Sequence, residues 1–305
     1  YQRIGSDFDK TYYESETYLL GKQFVEEGLE KGVLYKKEDG SVWIDLTDEG
    51  LDEKLVLRKD GTSVYITQDI GLAQQKYDIF PYDQSIYVIA DEQNYHMQVL
   101  KAILRKLEKP YADGIFHLSY GMVELPTGRM KSREGTVVDA DDIVEEMVSE
   151  AGKKTAEHSR IEDFTESELH NLYEMIGIGA LKFFLLRVDP KKRMVFNPEE
   201  SIDFHGFTGP FIQYTHARIK SILRKEPAPE TILASSAPLL PLEKELLLLL
   251  EQYESILQTA AQEHDPSQIA AYIFSVAKTY NTFYTQHSVL KAESEEKKAL
   301  RLRIC

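Results

Sequence analysis

Apolar positions recur at helical spacing over residues 14–31. Leu19, Leu20, Phe24, Val25 and Leu29 fall near one face and Gly32 follows, so an amphipathic helix is predicted there. Residues 41–46 and 55–58 read as strands, and Lys59-Asp60-Gly61-Thr62 is a turn into a strand at 63–66, a hairpin signal. Then the texture alternates: a helix from 68 to about 80, an apolar strand at 85–90, a helix at 93–106 and an apolar strand at 115–118. Strands separated by helices predict a parallel sheet.

Beyond Asp141, where a capped helix begins, strands largely vanish. Thr165-Glu166-Ser167-Glu168 is a capping box that opens a helix through Leu186. Helices are predicted from about 210 to 225 and from 242 to 263, separated by a linker marked by Pro227, Pro229, Pro238 and Pro241. Asp265-Pro266-Ser267-Gln268 opens another, with proline at the first helical position. The fold class is therefore α/β followed by all-α, a partial Rossmann-like parallel sheet and then a helical bundle. No internal repeat or low-complexity tract interrupts it.

At 305 residues the chain has room for two domains, and 42% hydrophobic with 29% charged residues is an ordinary soluble composition. The five leucines at 246–250 are flanked by Glu243, Lys244, Glu245 and Glu251, which suits a buried helix and not a membrane span of about 20 residues. No signal peptide is recognisable, and the single Cys305 leaves no internal disulfide or cysteine zinc cluster. A cytoplasmic monomer that engages no membrane is expected. The formal charge of −15 argues against a non-specific nucleic-acid coat protein. Local basic patches remain, at Lys191-Lys192-Arg193 and at Arg218, Lys220, Arg224 and Lys225; each also suits a solvated face.

Ligands of open parallel sheets bind beyond the carboxyl ends of the strands. The predicted ends are polar: Thr67, Gln68 and Asp69 after the first, Asp91, Glu92, Gln93, Asn94 and His96 after the second, Ser119 and Tyr120 after the third. The third leads into Pro126-Thr127-Gly128-Arg129-Met130-Lys131-Ser132-Arg133-Glu134-Gly135-Thr136, whose cations and hydroxyls can grip a phosphate between flanking glycines. The same loop also reads as solvated surface. Acidic ends and a basic loop suit a cationic ligand together with a polyphosphate. Asp69 can pair both outer nitrogens of a guanidinium, although an aspartate in the first turn of a helix also suits the dipole. Tyr65 reads equally as a core aromatic, Gln93 as a cap and His96 as a hydrogen-bonded structural histidine. No metal-ligand grouping and no Ser/His/Asp triad is apparent, so no protein-bound metal is expected.

The succession Asp60 to Gly71, Tyr87-Val88-Ile89-Ala90, Gly121-Met122-Val123 and Met130 to Val138 resembles arginyl-tRNA synthetase, a class I enzyme. The likeness runs on through Asp203-Phe204, Thr208 to Tyr214 and Ala217-Arg218, and covers essentially the whole chain. It implies that Tyr65, Asp69 and Gln93 hold an arginine side chain and that His96, Met122 and Val123 lie near the ATP adenosine. Arg129, Lys131, Ser132 and Arg133 match the family's mobile loop over the ATP phosphates, with Mg2+ accompanying ATP. Phe207, Phe211, Tyr214 and Arg218 are implied to meet the anticodon loop of tRNA(Arg).

The resemblance also implies a division into 1–55 (end of a catalytic-domain insertion), 56–140 (C-terminal half of the catalytic domain), 141–200 (helical connecting region) and 201–305 (anticodon-binding domain). There are departures. The family loop usually begins Lys-Met-Ser where this chain has Arg129-Met130-Lys131-Ser132-Arg133, and Phe207 stands where Asn or Asp is expected. The family's histidine-rich first nucleotide-binding motif is not in the sequence, so the chain reads as a C-terminal fragment, inactive alone in adenylate formation. A non-catalytic RNA-binding or regulatory paralogue is the alternative reading.

Overall fold

A computed structural model describes residues 1–17, 19–124, 126, 139–158, 164–230 and 238–305, which divide into the units Tyr1–Gly121 and Met122–Cys305. In the first unit the helix expected over 14–31 is two pieces, α1 (Glu14–Thr17) and α2 (Lys22–Glu30). The cause is tertiary. A Cβ on Gly21 would lie 1.8 Å from the carbonyl oxygen of Thr67, so the chain at this point runs directly against a later helix. Phe24 and Val25 are buried as expected, while Leu19 is exposed.

Strands β1 (Leu34–Lys36), β2 (Val42–Ile44) and β3 (Lys54–Leu57) form an antiparallel sheet in that order. The predicted turn follows β3: Arg58 N–H donates to Thr62 O at 3.0 Å and Gly61 takes φ 77°, a left-handed conformation that glycine adopts without strain. The predicted strand at 63–66 does not form. Only a bridge between Leu57 and Ser63 pairs, and α3 (Tyr65–Ile79) begins at once. Thr67 decides this: its hydroxyl donates to Val56 O and accepts from Val64 N–H at 3.4 Å, while Ile66, Ile70 and Ala73 bury one helical face. A β-branched run that reads as strand is thus helical because helix puts these residues into the core.

Strand β4 (Ser85–Ala90) and β5 (Ile115–Tyr120) are parallel, in register from Ser85↔Ile115 to Ala90↔Tyr120, joined through α4 (Asn94–Lys106). The α4 face carrying Met97, Leu100, Ile103 and Leu104 is buried, and Lys101 Nζ donates to Ile115 O at 3.0 Å. The predicted parallel sheet is, among the described residues, this pair and a shorter one in the second unit.

That shorter pair is β6 (Val123–Glu124) and β7 (Met194–Val195). Helix α5 (Ala140–His158) packs on α6 (Glu166–Leu186), and α6 opens with the predicted capping box: Thr165 N–H donates to Glu168 Oε2 at 2.9 Å and Thr165 Oγ1 accepts from Glu168 N–H at 3.3 Å. After the short α7 (Pro198–Ser201), α8 (Gly209–Lys225) is capped by the buried Thr208. The helix expected over 242–263 is divided into α9 (Pro241–Glu251) and α10 (Tyr253–Glu263). Gln252 N–H bonds to Leu249 O, a tightened turn, and of the five leucines only Leu246 is fully buried. Helix α11 (Ser267–Gln286) follows Pro266, which stands one position before the helix and not inside it; Asp265 Oδ1 accepts from Ser267 N–H at 3.0 Å. Helix α12 (Glu295–Ile304) closes the bundle around Ile222, Leu246, Tyr280, Phe283 and Leu302.

Candidate functional site

Asp69 is the fifth residue of α3, which starts at Tyr65, so it stands in the second turn and outside the reach of the dipole. Its Oδ2 lies 2.6 Å from Nε2 of His96, in the first turn of α4, beyond the carboxyl end of β4. Both side chains are about one-third exposed, at 36% and 29%. Tyr65, one turn before Asp69, is 75% exposed and is no core aromatic. Gln93 occupies the N-cap position of α4, but its side chain makes no capping bond and is exposed. The first unit thus brings Asp69 to His96, and leaves Tyr65 and Gln93 open at the starts of the same two helices.

A lysine also stands near that carboxylate. Lys76 Nζ lies 4.4 Å from the centroid of the Tyr87 ring, a contact between a cation and a π face. Burial lowers the Lys76 pKa from its ordinary value, and the negative charge of Asp69 opposes that shift. Burial likewise pushes the Tyr87 hydroxyl well above its ordinary range, and that of Tyr82 to about 12. Lys76 and Tyr87 thus form a partly buried flank that interacts with the Asp69 charge.

In the second unit, Met122 O accepts from Met194 N–H at 3.2 Å and Val123 pairs with Met194 in the short strands. Both residues thus have fixed backbones and half-buried side chains. Arg129, Lys131, Ser132 and Arg133 lie outside the described residues.

The four candidates around α8 fall into two sets. Phe207 and Phe211 both pack on Phe274, at centroid distances of 4.5 and 5.2 Å, and Arg187 donates to Phe207 O. These rings are engaged inside the bundle. Tyr214 and Arg218 instead line a cavity of about 700 Å³ together with Lys225, Tyr284, His287 and Lys291. The Arg218 guanidinium is 4.8 Å from the Tyr214 ring and 4.6 Å from that of Tyr284, and donates to Asn281 Oδ1. Asn281 in turn donates to Thr215 Oγ1 at 2.7 Å, which fixes α11 against α8. The aromatic rings and cations of this cavity match what an unstacked base and its phosphate require. The sequence does not by itself point to Tyr284, His287 or Lys291; its trace of them is the aromatic spacing of Tyr280 and Tyr284.

Residues 14–197 match the sequence profile of "tRNA synthetases class I (R), catalytic domain". The chain belongs to this arginyl-tRNA synthetase family. Residues 212–305 match the DALR anticodon binding domain. An arginine–tRNA ligase of Flavobacterium psychrophilum is 54% identical over the whole chain, and one of Parabacteroides distasonis is 52% identical over 99% of it. The chain spans about half the length of these curated relatives, 51% of each. The solved Thermus thermophilus arginyl-tRNA synthetase superposes with a TM-score of 0.86 at 25% identity, over 99% of this chain and 57% of that one. The architecture is therefore that of a class I synthetase followed by the helical DALR domain, as the succession of motifs implied. Among the described residues there is no cluster of metal-ligating side chains and no helix long and apolar enough to cross a membrane.

Proposed function

We propose that the chain supplies the amino-acid pocket and the anticodon-reading bundle of an arginine–tRNA ligase. In this reading ATP and Mg2+ enter as substrate and companion ion, and tRNA(Arg) is the macromolecular partner. The carboxylate of arginine attacks the α-phosphate of ATP; the new bond gives arginyl-adenylate, and pyrophosphate leaves. A hydroxyl of the terminal adenosine of the tRNA then attacks the carbonyl carbon, forming the ester and releasing AMP. Alignment and charge stabilisation do most of this work, so no side-chain nucleophile is needed.

Asp69 carries the reading: a carboxylate in the second turn of α3, beside His96 and unexplained by capping, can take a guanidinium with Tyr65 and Gln93 at the starts of the same two helices. Met122 and Val123 serve the adenosine. Arg129, Lys131, Ser132 and Arg133 supply phosphate contacts during transfer. Tyr214 and Arg218, with Phe207 and Phe211 behind them, serve the anticodon loop, and Tyr284 joins them in the cavity. The division into 1–55, 56–140, 141–200 and 201–305 follows the same assignment, and the protein acts as a cytoplasmic monomer.

The test is pyrophosphate exchange by the full-length protein in the presence of tRNA(Arg). Exchange should depend on arginine, and Asp69→Asn should raise the KM for arginine on the order of 10- to 100-fold, the cost of losing a charge-assisted hydrogen bond. Exchange driven equally well by lysine would reject the specificity. Binding of tRNA without any exchange would favour a non-catalytic RNA-binding paralogue.

A further inference from the structure

We infer that His96 is a positioning residue for arginine selection, holding the plane of the Asp69 carboxylate so that it meets a guanidinium fork. The inference rests on the arginine-binding reading of Asp69 and goes beyond it, because it gives His96 a task on the amino acid where the family resemblance associates it with the adenosine.

The geometry is specific. Nε2 of His96 lies 2.6 Å from Oδ2 of Asp69, across 27 residues of sequence. An ionised carboxylate can only accept, so Nε2 carries the proton and donates. Each carboxylate oxygen has two lone pairs. One bond from His96 leaves a lone pair on Oδ2 and both on Oδ1, which is what two parallel N–H donors need.

Neither the neighbouring lysine nor the other two candidates orients this carboxylate. Lys76, further along α3, is held over the Tyr87 ring at 4.4 Å. Tyr65 and Gln93 have no bond to Asp69 and are exposed. Without the imidazole, an aspartate that is 36% exposed can rotate its carboxylate freely. An ammonium ion, which has no plane, would lose little from that rotation, whereas a planar guanidinium would lose the second of its two bonds. His96 therefore favours arginine over lysine through Asp69 and not through any contact of its own. Outer partners that hold metal-binding carboxylates in place change affinity by about 10-fold or more when removed, and the same order is expected for a carboxylate that holds a guanidinium.

Steady-state exchange kinetics of the full-length protein test this with His96→Ala, His96→Gln and Asp69→Asn in parallel. In His96→Ala the KM for arginine should rise about 10-fold more than the KM for ATP, and the preference for arginine over lysine should narrow. In His96→Gln, whose amide can still donate to Oδ2, most of both losses should be restored. A rise in the KM for ATP with that for arginine unmoved would overturn the proposal and leave His96 to the nucleotide. Equal losses in the alanine and glutamine variants, accompanied by a lower unfolding temperature, would reduce His96 to a structural role. If Asp69→Asn raises the KM for arginine while His96→Ala does not, this inference fails alone; if Asp69→Asn has no effect, the arginine-binding reading fails as well.

Discussion

The carboxylate of Glu243 and the guanidinium of Arg301 meet at 2.8 Å, with side chains only 0% and 1% exposed. Lys297 Nζ reaches the other oxygen at 2.5 Å and the backbone N–H of Leu240 donates to it at 2.9 Å. The pair joins α9 to α12, and Arg301 also donates to Ser288 O at 2.7 Å, in the segment lining the Tyr214–Arg218 cavity. Removing the Glu243 charge would leave the buried Lys297 without its carboxylate and Arg301 with Glu293 alone, at 2.8 Å.

Glu243→Gln should therefore destabilise the helical unit by about 3–5 kcal/mol, measured by denaturant unfolding. The pH dependence has a definite sign. Burial raises the Glu243 pKa, but bonds from Lys297, the Leu240 N–H and Arg301 outweigh it, and the net position is below the ordinary 4.5. A depressed carboxylate contributes stability that is fully present above 4.5 and is lost as pH falls through its folded value. Thermal midpoints should drop from pH 5 to about pH 3, and Glu243→Gln should flatten that part of the curve.

Gly21 faces a different constraint. Its missing side chain lets the backbone pass against Thr67, where a Cβ would be 1.8 Å from the carbonyl oxygen. Gly21→Ala should cost about 1–3 kcal/mol through displacement of α3, and an unchanged unfolding midpoint would disprove the close crossing. Because α3 carries Tyr65 and Asp69, the variant should also weaken arginine binding by the full-length protein.

In the cavity of α8 and α11, base stacking and charge are separable. Tyr284→Ala removes one of the rings flanking Arg218 and should weaken tRNA binding by about 1–3 kcal/mol with little change in salt dependence. Lys225→Ala and Lys291→Ala should instead make the salt dependence shallower, by about one phosphate contact each. Filter-binding titrations over a range of salt concentrations distinguish the two; unaltered affinity in all three variants would exclude this cavity from the RNA interface.

Elements whose signals lie within one or two turns were legible from the sequence. The capping box at Thr165 and the turn at Gly61 each depend on neighbours three or four residues away, and both stand in the structure. The strand at 63–66 failed because burial of Ile66, Ile70 and Ala73 outweighed local β propensity. The continuous helix at 14–31 fails because the chain crosses α3 at Gly21, and the one at 242–263 divides at the tightened turn of Gln252.

Sequence alone determined the order of α/β and helical parts and the family likeness, and singled out Asp69 as a candidate. The tertiary structure alone decided what each charge touches: Asp69 meets His96 across 27 positions, Glu243 meets Arg301 across 58, and Arg218 lies between Tyr214 and Tyr284. The reason is physical. Helix caps and turns are closed by bonds between near neighbours, whereas a carboxylate beside two candidate cations acquires its partner only when packing brings one helix against another.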